Sequence, residues 1–254
     1  MMRFDVRGDI GPLIRDLSRH SQKLVPEATV KALNNTAKFV EDKAIEEMNR
    51  AFDRPTRYTK RAIVVRRATL ARMFAEVKIK DDTQSGTPPV KYLDDQIYGG
   101  RRAHKPFENL LIKAGAMPPG MYAIPAAGAE IDGFGNMKPG QISAILSDLQ
   151  ARRDVTQNAS AASRKRRLRS RTRRATFYFS TWPMRNKVLH LTAGIYKRLH
   201  FGYGTAIKPV LIFTRAPRYR HRYRFFETAD QVARMRFPLE FTIAMRKAIA
   251  ESNA

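Results

Sequence analysis

The sequence predicts an α+β fold, in which an antiparallel sheet is flanked by N-terminal and C-terminal helices and carries a long Gly/Pro-rich insertion and a basic arm. Three observations support this fold class. Apolar residues recur at helical spacing near both ends of the chain. Runs rich in β-branched and aromatic residues, including 175–179 and 210–214, lie between those ends. Residues 86–140 hold nine of the fourteen glycines and seven of the fourteen prolines, which indicates turns and short elements.

Residues 9–50 are predicted to form two helices. Asp9 can cap the first helix, whose apolar positions are Ile10, Leu13, Ile14 and Leu17. Pro26 suits the first turn of the second helix. The second helix has one apolar stripe, made of Leu33, Ala37, Val40, Ala44 and Met48. This stripe is expected to pack on the sheet, and packing between subunits is the alternative.

The next segments are predicted as short strands and helices. Residues 62–69 suit either a helix or a strand, and residues 73–79 suit a strand. Within the insertion, residues 106–113 are predicted to form a helix that Gly115 ends, and a second helix begins near Pro139. The second insertion helix carries Ile142, Ile145, Leu146 and Leu149. Residues 117–122, between these helices, must be extended or turning.

The last third of the chain is predicted to begin with a mobile arm or long loop at residues 150–174. Residues 175–180, 188–196 and 207–215 then make plausible strands. A C-terminal helix follows, with Val232, Met235, Leu239 and Ile243 on one face and a kink or new start at Pro238. Residues 1–85 and 175–254 are therefore expected to form one α+β body, with 86–149 as an insertion and 150–174 as a basic arm.

Positive charge is the outlying property of the composition. The formal net charge is +25 and the sequence pI is about 10.8. Eighteen lysines and arginines lie between Asp154 and Glu227, and no acidic residue lies there. A compact monomer with this charge repels itself, so nucleic acid, an anionic membrane or an acidic assembly is the expected partner class.

Several function classes lack support in the sequence. The absence of cysteine excludes disulfides and thiolate zinc sites. No run of eighteen apolar residues and no signal peptide is found, so no membrane span or export is expected. Gly133-Phe134-Gly135 lacks the third glycine of a dinucleotide loop, and phosphate-loop, metalloprotease and serine-hydrolase motifs are missing. We therefore expect no enzymatic activity, no metal and no cofactor.

The candidate binding residues are the basic ones. The candidate contacts to DNA or to an acidic partner are Arg164, Lys165, Arg166, Arg167, Arg169, Arg171, Arg173, Arg174, Arg218, Arg220, Arg222 and Arg224. The candidate subunit interface consists of Leu33, Val40, Met48, Tyr219 and Tyr223. Phe177, Tyr178 and Phe179 suit either base stacking or core packing, while Tyr219 to Arg224 suit an exposed rim.

Three stretches together resemble minor tail and tail-completion (neck) proteins of tailed bacteriophages, the group that includes the lambdoid minor tail protein Z. The first is residues 24–37, which read LVPEATVKALNNTA. The second runs from YGGR at 98–101 through LIKAG at 111–115 to GNMKPGQI at 135–142. The third is KPVLIF at 208–213, followed by a basic rim and a C-terminal helix.

This resemblance implies a structural virion protein at the neck or the head-proximal end of the tail. It implies a homo-oligomeric ring around the DNA channel, with hexamers expected, that contacts neighbouring neck and tail proteins and takes genomic DNA as a further candidate partner. The protein would be made in the host bacterial cytoplasm. The alternative function is a free nucleic-acid-binding protein of nucleoid or ribonucleoprotein type. A virion nuclease or peptidase would need clustered acids or a nucleophile that the sequence does not display.

Overall fold

The computed structural model describes residues 3–7, 19–83, 86–169, 177–182, 190–201 and 204–252. It contains long helices and antiparallel sheets, so the predicted α+β class is confirmed. The chain divides into two compact units. Unit 1 comprises Met1–Gly100 with Tyr219–Ala254, and unit 2 comprises Arg101–Arg218.

Both units contain helices and strands. In chain order they are β1 (Arg3–Arg7), α1 (Arg19–Ala51), α2 (Arg57–Lys60), β2 (Ile63–Arg66), β3 (Phe74–Ile79), α3 (Pro89–Ile97), β4 (Gly100–Arg101), α4 (Pro106–Lys113), β5 (Tyr122–Pro125), α5 (Pro139–Asp148), a 3₁₀ turn (Val155–Gln157), α6 (Ala161–Arg169), β6 (Phe177–Ser180), β7 (Gly194–Phe201), β8 (Gly204–Thr214), β9 (Arg218–Tyr219) and α7 (Phe225–Ser252).

Unit 1 is built on a three-stranded antiparallel sheet of order β1-β3-β2. Alternate residues of β3, namely Ala75, Val77 and Ile79, are buried in the hydrophobic core. The predicted α1 stripe of Leu33, Ala37, Val40, Ala44 and Met48 is buried in the same core. Residues 62–69 were predicted as either a helix or a strand, and residues 63–66 form a strand. The strand expected at 73–79 is confirmed.

The N-terminal helix begins earlier than predicted. Pro26 lies inside α1 and not in its first turn, because the helix starts at Arg19. Only one intrahelical hydrogen bond is lost at a proline in the second turn, and the residues after it are held by core packing. The other predicted helix, with Ile10, Leu13, Ile14 and Leu17, lies outside the described residues.

The C-terminal helix buries only Val232 among the four apolar residues that predicted it. α7 is continuous through Pro238, and its buried residues include Ala229, Val232, Ala244 and Ala248. Met235, Leu239 and Ile243 are instead exposed, by 56%, 55% and 59%. Small alanine side chains let α7 pack closely along α1, so the larger apolar residues are left on the outer side.

Unit 2 is built on a four-stranded antiparallel sheet of order β5-β8-β7-β6. Helices α4 and α5 cover one face, where Leu111, Ile145 and Leu146 join the strand residues of the core. The strand residues in this core are Ala123, Tyr178, Ile195, Val210, Leu211 and Phe213. The insertion helices predicted at 106–113 and near Pro139 are therefore confirmed as elements. Gly115, at φ 69°, follows α4, as a C-terminal stop requires.

A β-bulge shapes the central hairpin of unit 2. The register between β7 and β8 shifts at Ile195 and Tyr196, where Tyr196 pairs with Pro209 and Ile195 pairs with Leu211. Proline lacks the N–H that a regular ladder needs, so a bulge accommodates it. Pairing begins at Gly194, opposite Ile212, so the strand predicted at 188–196 starts later and runs to Phe201. Strands β6 and β8 lie near their predicted positions.

The division of the chain also differs from the predicted body, insertion and arm. Strands β6 to β8 belong with the insertion helices in unit 2, because α4 and α5 share their core. Residues 150–169 are not an unstructured arm. They form a closed loop and α6, in which the Ser147 hydroxyl donates to the Gln157 carbonyl and the Gln150 amide donates to the Ala159 carbonyl.

Candidate interaction surfaces

Positive charge is concentrated in unit 2. This unit holds 22 lysines and arginines against five acidic residues, a balance of +17. Unit 1 holds 26 lysines and arginines against 18 acidic residues, a balance of +8. The two units are close in size, so any electrostatic attraction to a polyanion comes mainly from unit 2.

The acidic residues of unit 2 are mostly engaged in structure. Glu108 and Asp148 are buried and pair with Arg102 and Arg167. Asp132 accepts backbone hydrogen bonds from Phe134 and Asn136 in a turn. Asp154 caps the 3₁₀ turn by accepting from Thr156, and these bonds hold the pKa of its carboxyl below its usual range. These carboxylates therefore do little to neutralise the outer basic surface.

Asp148 fixes the basic helix α6 to the rest of unit 2. One carboxylate oxygen accepts from the Arg167 guanidinium, and the other accepts from the backbone N–H of Tyr178 at 3.0 Å. The Arg164 guanidinium lies over the ring of Phe177, 5.9 Å from its centroid. One side of α6 is thus docked by Arg164 and Arg167.

The docking of α6 divides the predicted contact residues at 164–169 into half-buried and exposed ones. Arg164 and Arg167 are half-buried and serve the fold, whereas Lys165, Arg166 and Arg169 are exposed. The exposed three share one side of the helix, since residues three and four apart are neighbours. Arg171, Arg173 and Arg174 lie outside the described residues. Sequence reasoning missed these contacts of Asp148, because its two partners lie 19 and 30 residues away in the chain.

The second basic group consists of exposed arginines, and two tyrosines lie between them in the sequence. Arg218 of unit 2 is exposed, and in unit 1 so are Arg220, Arg222 and Arg224. Tyr219 is half-buried, but Tyr223 has no exposed surface. The Tyr223 hydroxyl donates to the carbonyl oxygen of Ala44, and burial raises the pKa of this phenol. The prediction that Tyr223 belongs to an exposed rim or subunit interface is therefore wrong.

The other predicted interface residues are also internal. Leu33, Val40 and Met48 have no exposed surface and belong to the core of unit 1. They pack against their own chain, so they are not available to another subunit, and that prediction is wrong as well. The exposed stripe of Met235, Leu239 and Ile243 on α7 is an apolar helix surface that was not among the predicted interface residues.

Two asparagines of the motif at 24–37 have structural roles. The Asn34 side chain accepts from the N–H of Ala68 and donates to its carbonyl, at 2.7 and 3.1 Å. The Asn35 amide donates to the buried carboxylate of Glu240 on α7, at 2.9 Å. Both asparagines line a groove between α1 and β2. Their amides are already paired, and they hold α1 to the segment after β2 and to α7.

A buried ion pair connects α4 with β5 in unit 2. Glu108 accepts from Arg102 at 2.6 and 2.7 Å and from the backbone N–H groups of Lys105 and Ala123 at 2.6 and 2.9 Å. The Arg102 guanidinium also lies over the Tyr122 ring at 4.6 Å. Burial alone would raise the pKa of the Glu108 carboxyl, but the Arg102 and backbone hydrogen bonds lower it below its usual range. Every charge here has a structural partner.

Two properties of the described residues bear on metal and membrane sites. They contain no group of three or more His, Asp or Glu side chains placed to hold a metal ion. None of the helices in the described part is long and apolar enough to cross a bilayer.

Comparison with known proteins finds a family model that matches part of the chain. Residues 10–115 match the family model of prophage minor tail protein Z. No curated protein and no solved structure matches the chain. The matched residues cover most of the first segment of unit 1 and extend through α4 of unit 2. Over residues 10–115, the expected resemblance to a phage minor tail family is confirmed.

Proposed function

We propose that the chain is a non-enzymatic virion protein of a tailed phage that completes or connects the tail. It assembles as a homo-oligomeric ring at the head–tail junction or the head-proximal end of the tail, after synthesis in the host cytoplasm. The observation that carries this proposal is the match of residues 10–115 to the minor tail protein family. Sixfold symmetry is the expectation that follows from the resemblance.

The charge distribution supports a place next to polyanions or acidic proteins. A ring of subunits that each carry +25 concentrates positive charge, and +17 of it belongs to unit 2. DNA in the channel or acidic neighbouring proteins would offset the resulting repulsion. The exposed side of α6, with Lys165, Arg166 and Arg169, is the contact surface that we assign to such a neighbour.

The exposed stripe of α7 supports a protein partner for unit 1. Met235, Leu239 and Ile243 lie four residues apart, so they form one continuous apolar surface on the helix. An apolar helix face that the subunit itself leaves uncovered is typical of a contact surface. We assign the subunit or neighbour contact to this stripe, in place of Leu33, Val40 and Met48.

Complementation of a phage that lacks the gene tests the proposal. Negative-stain images of the deletion should show heads and tails that fail to join, and normal infectious particles would contradict the proposed role. Leu239→Glu combined with Ile243→Glu should fail to restore joining, because the charged stripe cannot pack against a partner. Val155→Glu is the control, since Val155 is 76% exposed and is not part of α7; it should restore joining.

A second candidate function is a free nucleic-acid-binding protein, which the acid-free segment from residue 155 to 226 favours. A monomer of this kind binds duplex DNA with an affinity that falls by roughly 0.9 log units per tenfold rise in salt for each phosphate contacted. A salt series on the purified protein tests it. A flat dependence removes this candidate and leaves the virion role.

A further inference from the structure

The sheet of unit 2 has a second face that its core does not use. Phe177, Phe179, Ile207 and Ile124 lie on this face, because residues paired across antiparallel strands share a side and alternate with the core positions. None of the four belongs to the core cluster that includes Tyr178, Ile195 and Leu211, or packs against it. Ile124 and Ile207 are 45% and 44% exposed.

Aromatic rings occupy two neighbouring rows of this face. In the first row, Phe177 pairs with Arg198, which pairs with Ile207. In the second, Phe179 pairs with Tyr196, and their rings stack at a centroid distance of 6.0 Å and an angle of 25°. Phe177 and Phe179 are two residues apart on β6, which places them about 6.7 Å from each other. Both side chains are half-buried, so neither is fully enclosed.

Two arginines flank the first aromatic row. Arg198 is directly opposite Phe177 on β7. The Arg164 guanidinium, which docks α6, lies over the Phe177 ring at 5.9 Å from its centroid. No acidic residue occurs between positions 155 and 226, so β6, β7 and β8 bring no carboxylate to this face. The face thus combines flat apolar rings with positive charges, and β6, β7 and β8 add no negative charge to it.

This combination matches one ligand class better than the others. Proteins that bind single-stranded nucleic acid stack unpaired bases on aromatic rings and contact the backbone with basic side chains. Duplex DNA keeps its bases paired, so it can use the arginines but not the rings. An acidic polypeptide can likewise use the arginines, but it gains nothing from a flat ring at Phe177 that another apolar side chain would not give.

We propose that single-stranded nucleic acid binds across this face, with bases on Phe177 and Phe179 and phosphates on Arg198. The site uses the two rings that strand alternation turns away from the core. It does not depend on the place of the protein in a virion. Failure of head–tail joining tests the virion role, whereas oligonucleotide binding tests this site, so the two fail separately.

Fluorescence anisotropy with a labelled oligothymidine of about 20 nucleotides, titrated with the full-length protein, measures the binding. Phe177→Leu keeps an apolar side chain but removes the ring, and it should weaken binding about tenfold. Phe134→Leu is the matched control, since Phe134 is an exposed ring of the same unit in the turn after Asp132. It should leave the affinity unchanged. Phe177→Trp restores a ring and should restore the affinity, which separates lost stacking from altered folding.

A second pair of variants tests the arginine contact. Arg198→Gln removes a charge on the aromatic face, and Arg153→Gln removes one from the exposed loop after α5. Arg198→Gln should weaken binding several-fold more than Arg153→Gln, because a phosphate contacts it directly. Equal losses would mean that the oligonucleotide responds to net charge alone, and this would overturn the site.

Three further outcomes would overturn the proposal. One is equal affinity for a duplex of the same length. Another is an equal effect of Phe177→Leu and Phe134→Leu, since stacking on Phe177 requires that they differ. The third is displacement of the oligonucleotide by polyglutamate of matched charge as effectively as by unlabelled oligothymidine, which would assign the face to an acidic polypeptide. The proposal is supported if the protein binds the single strand more tightly than the duplex and if Phe177→Leu, but not Phe134→Leu, weakens this binding.

Discussion

The phenol hydroxyl of Tyr223 donates a 3.0 Å hydrogen bond to the carbonyl oxygen of Ala44, 179 residues earlier in the chain. Tyr223 also packs its ring against Phe52 and Phe225, with centroids 5.8 and 5.9 Å away. The contact joins the segment just before α7 to the C-terminal half of α1. It holds the arginine-rich segment before α7 to the core, so that Arg222 and Arg224 on either side of Tyr223 are exposed.

Tyr223→Phe should lower the free energy of unfolding by about 1 kcal/mol, because it removes one buried hydrogen bond while the ring remains. Tyr58→Phe removes an exposed hydrogen bond to Thr83 and should change stability by less than about 0.5 kcal/mol. Urea denaturation of the three proteins measures both. Equal effects would show that the Ala44 contact adds nothing beyond ring packing.

Asp148→Asn should release α6. The substitution keeps an oxygen for the Tyr178 N–H but removes the charge that pairs with Arg167, at a cost of about 2–3 kcal/mol. If α6 opens before it is cut, trypsin cleavage after Lys165 and Arg166 should become at least tenfold faster. Asp154→Asn, at an exposed cap, is the control and should leave cleavage unchanged. An unchanged rate in Asp148→Asn would contradict the anchoring role.

Glu108→Gln should destabilise unit 2 by about 3 kcal/mol at pH 7, since it leaves Arg102 without its charged partner. The effect should depend on pH. The pKa of Glu108 is lower in the folded protein than in the unfolded chain, so its stabilisation is complete above the unfolded value of about 4.3 and is lost as pH falls below it.

Chemical denaturation at pH 7, 5, 4 and 3 checks this pH dependence. The difference in stability between the native protein and Glu108→Gln should narrow as the pH falls from about 5 to 3. A difference that stays constant over this range would mean that the ionised form of Glu108 is not the one that stabilises the fold.

Gly194→Ala should be strongly destabilising, by about 2 kcal/mol or more, because an added Cβ would lie 2.3 Å from the carbonyl oxygen of Leu211. That oxygen belongs to the backbone of β8 and cannot move aside without disturbing the sheet. Gly133→Ala is the control, since nothing lies within 4 Å of its added Cβ. Thermal unfolding of both variants measures the contrast, and equal melting temperatures would contradict the close packing of β7 on β8.

Lys208→Glu should stabilise the hairpin of unit 2. Lys197 and Lys208 are directly opposite each other on β7 and β8, and like charges in this position repel. A glutamate at 208 replaces this repulsion with attraction, a gain of about 0.5–1 kcal/mol. Arg153→Glu makes the same change in net charge at an exposed loop and isolates the pairwise effect. Equal gains in the two variants would assign the stabilisation to net charge.

Sequence patterns predicted the elements whose signals are local. The stripe from Leu33 to Met48 marked α1, and Gly115 marked the end of α4, because periodicity and backbone conformation act over a few residues. The same patterns did not show which side of α7 is buried. Ala229, Ala244 and Ala248 form its packed side because α1 approaches closely, and no local signal separates these alanines from exposed ones.

The candidate site residues were hardest to place where a distant partner decides their environment. Tyr223 lies in an arginine-rich run that is typical of a solvated segment, yet the Ala44 carbonyl and the core hold it inside. Arg167 lies in a similar run and is held by Asp148. For Phe177 and Phe179 the sequence suited either base stacking or core packing. The sheet register places both on the other face of the sheet from Tyr178, away from the core. The basic composition alone did not show that Tyr223 and Arg167 are held by distant partners. It also did not show which face of the sheet Phe177 and Phe179 occupy.

The two oxygens of Asp148 link three segments into one folding unit. One oxygen requires α6 to be in place and the other requires the edge strand β6, while Asp148 itself ends α5. Neither α6 nor β6 can detach without leaving a buried carboxylate short of a partner, so the segments should open and close together. Amide hydrogen exchange in α6 should therefore follow that of β6, although one is a short surface helix and the other belongs to a sheet.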